Sequence, residues 1–96
     1  MLEVKGTDGS GMPQIIAFDG RILEIFSWIG GKIKSRRFHI DHLKNIEIRE
    51  KGDNGLILLV ELNIPAAFGT YEFRDGGENL DELVDIIKET MASINQ

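Results

Sequence analysis

A chain of 96 residues without cysteine allows one domain, and it excludes disulfides, thiolate metal sites and cysteine nucleophiles. No stretch reaches the ~18 apolar residues of a membrane-spanning helix, so a soluble, cytoplasmic protein is expected. The net charge of −5 argues against general nucleic-acid binding, which depends on neutralising phosphate, but that charge is unevenly spread. Residues 32–51 carry seven basic against three acidic side chains, and residues 52–96 carry nine acidic against two basic.

In chain order, Leu2 to Lys5 reads as a short strand, followed by a glycine-rich loop, Gly6-Thr7-Asp8-Gly9-Ser10-Gly11, expected to be flexible. Its glycines do not form a phosphate loop, because no Gly-Lys-Ser/Thr follows; Gly30-Gly31-Lys32-Ile33 fails the same test. Gln14 to Phe18 is an apolar strand, Asp19-Gly20 a hairpin turn, and Arg21 to Ile29 the returning strand. That strand is apolar on both parities, with Leu23 and Ile25 on one and Ile22, Phe26 and Trp28 on the other. Only one set can face a core.

After Gly30-Gly31, Ile33 to Ile40 resumes as a strand, and Asp41-His42 turns the chain into Leu43 to Lys51. Ile46 and Ile48 alternate there with Glu47, Arg49 and Lys51, giving one wet face. Gly52-Asp53-Asn54-Gly55 reads as a hairpin turn, and Leu56 to Leu62, apolar almost throughout, as the most buried strand. Ile64-Pro65 ends it, since proline cannot donate to a ladder. Gly69 to Arg74 is the final strand and Asp75-Gly76-Gly77 the turn after it. Asn79 to Ile94 is then an amphipathic helix, with Leu80, Leu83, Val84, Ile87, Met91 and Ile94 on one stripe. Asn79 followed by Glu82 suits a capping box, and Asp81 and Glu82 suit the positive end of the helix dipole.

The expected fold is mainly β, a barrel or sandwich of about seven antiparallel strands capped by the C-terminal helix. This order resembles the pleckstrin-homology-like fold, and more closely its small bacterial families of unknown function. The resemblance rests on Phe18-Asp19-Gly20-Arg21-Ile22-Leu23-Glu24-Ile25 and on Ile40-Asp41-His42-Leu43-Lys44-Asn45-Ile46. It continues through Leu56 to Leu62, Tyr71-Glu72-Phe73 and the Leu/Ile-rich helix. It implies two nearly orthogonal sheets with the helix closing one end. It does not bring lipid headgroup recognition with it, because the first hairpin lacks the spaced lysines and arginines of phosphoinositide-binding members. The tryptophan that many eukaryotic members carry in the last helix is also missing; the one tryptophan is Trp28.

His39 and His42, with Asp41, are read as surface or turn residues, because a pair spaced i, i+3 beside a strand does not converge on a metal. No carboxylate pair or activated serine stands out, so no enzymatic activity and no cofactor are expected. Two surfaces compete for a binding role. Ile22, Phe26 and Trp28 would form an apolar interface for a protein partner or a second copy, unless a bulge or the glycine-rich loop covers them. Lys32, Lys34, Arg36 and Arg37 would meet an anionic membrane, unless they merely solvate an edge strand.

Overall fold

The computed structural model describes residues 2–52, 55–65, 67–74 and 79–94. Seven antiparallel strands form two open sheets, followed by one C-terminal helix. The first sheet has the order β1 (Leu2–Thr7), β2 (Pro13–Phe18), β3 (Ile22–Ile29), β4 (Lys32–His39). A 3-10 turn, Ile40–His42, leads into the second sheet of β5 (Leu43–Lys51), β6 (Gly55–Leu62) and β7 (Phe68–Phe73). Helix α1 spans Leu80–Ile94. The mainly β class with a C-terminal helix is as expected, in the form of a sandwich of two sheets and not a closed barrel.

The hairpins are built by local chemistry. At the β2–β3 turn the Asp19 carboxylate accepts the N–H groups of Arg21 and Ile22 at 2.9 and 2.8 Å, fixing the strand reversal. The β3–β4 turn is Gly30-Gly31, with φ values of 58° and 77°. Two successive positive φ values match the twist of a two-residue hairpin, and side chains there would be strained. The β1–β2 loop departs from expectation. Gly6 and Thr7 continue β1, and the Asp8 carboxylate organises the rest by accepting Ser10 N–H, Ser10 Oγ and Met12 N–H at 2.9, 2.7 and 3.0 Å. The expected turns at Gly52-Asp53-Asn54-Gly55 and Asp75-Gly76-Gly77 lie partly or wholly outside the described residues.

The core lies between the inner faces of the sheets and beneath the helix. Val4, Ile16, Phe18, Leu23 and Ile25 from the first sheet meet Ile46, Leu58, Val60 and Phe73 from the second. Leu80, Leu83, Val84 and Ile87 close one end as the plug. The helical stripe is less buried at its end than its periodicity suggests: Met91 is half-buried and Ile94 is 48% exposed, the two bordering a cleft with Ile40 and Leu43. Burial also ranks the strands differently. On β2, flanked on both sides within the larger sheet, Gln14, Ile16, Ala17 and Phe18 are all buried, whereas on β6 only Gly55, Leu58 and Val60 are fully buried and the other positions are half-buried.

A backbone bond fastens the two sheets at a corner, where Arg74 N–H, just past β7, donates to Thr7 O at the end of β1 at 2.9 Å. Ile40 N–H, which donates to Arg21 O at 2.7 Å, extends the β3–β4 ladder by one pair. Gln14, 3% exposed, adds a second link between the sheets, donating from Nε2 to Glu72 O at 2.9 Å and accepting Ser27 Oγ at 3.2 Å. A buried amide is affordable only when it is bonded in this way.

Candidate functional site

Strand parity decides what the first sheet offers to solvent. Leu23 and Ile25 are fully buried, so their neighbours of opposite parity, Ile22, Phe26 and Trp28, stand on the outer face, where they are half-buried. Pairing carries this apolar row across the sheet: Ile15 on β2 is opposite Phe26, and Ile33 on β4 is opposite Trp28. Ile33 is 61% exposed. β3 pairs with both neighbours in unbroken register, so no bulge diverts the row. The helix packs instead on β5, β1 and the 3-10 turn. Ile15 and Ile33 were absent from the sequence-derived set. Ile33 was legible in principle, because a two-residue Gly-Gly turn places it opposite Trp28.

The basic segment is the free edge of the same sheet, and its side chains divide between two faces. Arg37 lies on the outer face, with Nε 3.5 Å from Glu24 Oε2. Lys32, Lys34 and Arg36 share the inner-face parity of Phe38, yet all three are exposed. Lys34 and Arg36 line a cleft of about 310 Å³ with Gln14, Ser27, Tyr71 and Glu72. Phe38 meets the Tyr71 ring edge-on, with centroids 6.5 Å apart. The Tyr71 ring lies over Gly69, where even a Cβ would come within 3.1 Å of the phenol oxygen. That oxygen is buried and makes no hydrogen bond of proper geometry with a described group. It nevertheless lies close enough to Arg36 to push the guanidinium pKa above its usual value. Lys32 and Lys34 form no ion pair among the described residues.

A second apolar feature, which the sequence reading did not single out, lies on the outer face of the second sheet. Leu59, Ile64, Pro65, Ala67 and Phe68 line a groove of about 480 Å³ bordered by Lys44, Arg49 and Glu61. Ile64 and Phe68 are 67% and 65% exposed. The border charges pair locally, Lys44 with Glu61 at 3.4 Å and Arg49 with Glu47 at 3.5 Å.

His39 ends β4 and caps the 3-10 turn in which His42 lies. Their ring centroids are 5.8 Å apart, and His39 Nδ1 accepts Asp41 N–H at 3.2 Å. The Asp41 carboxylate lies 3.4 Å from the same nitrogen. Among the described residues no group of three or more His, Asp or Glu side chains is placed to hold a metal. None of the helices described is long and apolar enough to cross a membrane.

No protein-family model matches this chain, and comparison with curated proteins yields no significant match.

Proposed function

We propose that this chain is a non-catalytic protein-interaction or self-association module of pleckstrin-homology-like fold, with the outer face of β2–β3–β4 as its contact surface. The observation that carries this reading is the apolar row Ile15–Phe26 and Trp28–Ile33, which crosses three strands, with Ile22 set apart from it by the Glu24–Arg37 pair. Contiguous apolar surface of this kind on a small protein usually marks an interface. Light scattering over a concentration series is expected to show a dimer or larger assembly, and Phe26→Ser combined with Trp28→Ser is expected to leave a monomer of native stability. A wild-type monomer at high concentration, or an assembly that survives the double substitution, contradicts self-association through this face.

A second reading is peripheral contact with an anionic membrane through Lys32, Lys34, Arg36 and Arg37. It is favoured by the exposure of all four and by the absence of ion pairs at Lys32 and Lys34 among the described residues. Each basic side chain near such a surface contributes about 1 kcal/mol. Co-sedimentation with phosphatidylserine vesicles at low salt is then expected, reversed by added salt. No sedimentation at low salt removes this reading.

A further inference from the structure

β4 is an edge strand of eight residues, regular along its whole length, and exposed from Lys32 to Arg37. The flanks of a two-residue hairpin, Ile29 and Lys32, form a hydrogen-bonded pair, and bonded and non-bonded pairs then alternate. The ladder to β3 therefore uses the backbone of Lys32, Lys34 and Arg36. Ile33, Ser35 and Arg37 turn their N–H and C=O groups toward the open side.

Charge selects what can pair there. Two copies of β4 side by side would set Lys32, Lys34, Arg36 and Arg37 against the same four residues, an arrangement that like-charge repulsion disfavours. An acidic strand meets the opposite situation. Its side chains on the inner parity would lie beside Lys34 and Arg36 and over the 310 Å³ cleft. Asp8 and Glu72 also border that cleft, and the Glu72 carboxylate lies 3.6 Å from Arg74 Nε. Side chains of the other parity would lie beside Ile33, extending the apolar row outward. At physiological salt, charges beyond about 8 Å are largely screened, so an approaching strand responds mainly to the side chains of β4 and the cleft itself.

We infer that the free edge of β4 accepts an extended segment of alternating acidic and β-branched apolar residues as a fifth strand. Main-chain bonds at Ile33, Ser35 and Arg37 supply affinity, and Lys34 and Arg36 on the inner parity against Ile33 on the outer one decide which side chains of the segment face which way. The proposal shares with the preceding reading the idea of an interaction module, but it uses the strand's edge and not the sheet's outer face. Saturable peptide binding by a protein that remains monomeric would keep this proposal and remove self-association.

The test is fluorescence anisotropy with a labelled, end-capped eight-residue peptide of alternating Glu and Val, and a Lys/Val peptide as control. The Glu/Val peptide is expected to bind saturably and more weakly as salt rises, and the Lys/Val peptide not to bind. Ser35→Pro removes an outward N–H without touching the β3 ladder, and is expected to weaken binding roughly tenfold, the worth of one lost hydrogen bond. Lys34→Glu, which leaves the backbone alone, is expected to weaken Glu/Val binding and to admit the Lys/Val peptide. Absence of saturable Glu/Val binding at low salt overturns the proposal. So does equal binding of the two peptides, or undiminished binding by folded Ser35→Pro or by Lys34→Glu.

Discussion

At the scale of single residues, two aspartates act as turn formers, and their titration carries a consequence for stability. Bonds from the N–H groups of Ile22 and Arg21 hold the Asp19 carboxyl below its usual range. Asp8 is also lowered: burial pushes it upward, but the Ser10 hydroxyl and the N–H groups of Met12, Ser10 and Gly11 together outweigh that. A carboxylate depressed in the folded state stabilises the fold fully above the unfolded value of about 3.9, and the contribution is lost as pH falls through the lower folded value. Asp19→Ala is therefore expected to melt below wild type at neutral pH, with the gap closing in acid. Melting curves from neutral pH down to about pH 2.5 check this, and a constant gap would assign the turn's stability to something other than the charged form. Asp-Gly at 19–20 was legible as a hairpin because two strands flank it. The Asp8 turn was not, because glycine-rich composition says nothing about where one carboxylate can gather three donors.

At the scale of elements, the helix shows both the reach and the limit of periodicity. Leu80, Leu83, Val84 and Ile87 are buried as their spacing requires, and their burial contributes roughly 6–12 kcal/mol before chain entropy is counted. The same spacing continues through Met91 to Ile94, which border an open cleft beside Ile40 and Leu43 and do not fill the core. Periodicity reports which face of a helix is apolar and not how much of that face the core covers. Ile87→Ala is expected to cost about 2–5 kcal/mol, as a large-to-small change at a closed position. Ile87→Glu, which places a charge in the plug, is expected to prevent folding. Chemical denaturation followed by circular dichroism checks both, and a native-stability Ile87→Glu monomer would show that the helix does not close the core. The strands follow similar logic. β5 was recognisable from clean alternation, whereas β3, apolar on both parities, revealed its inward set only through its pairing with β2 and β4.

At the scale of the whole molecule, the two sheets meet through apolar contact, the Arg74–Thr7 backbone bond and the amide of Gln14. Gln14→Ala would leave Glu72 O and Ser27 Oγ without that partner and is expected to cost about 1–3 kcal/mol. An equilibrium urea titration measures this, and a neutral result would show that solvent replaces the amide without penalty. Gln14 could not be singled out from sequence, since its role depends on a strand 58 positions away. The candidate surfaces divide in the same way. Ile22, Phe26 and Trp28 were visible as a surplus of apolar residues on one strand, but the row they join required the register of three strands. The basic run was visible as charge, but its division between an outer Arg37 and an inner Lys32, Lys34 and Arg36 follows from the alternation of β4.

The chain has one tryptophan and one tyrosine. Trp28 stands on the outer face and Tyr71 in the cleft beside β4. The two surfaces therefore carry separate intrinsic fluorophores. Occupation of the outer face is expected to shift the tryptophan emission toward the blue, whereas a strand laid along β4 is expected to change the near-ultraviolet circular dichroism of the tyrosine. Unlabelled protein thus carries its own optical means of telling which surface a partner has found.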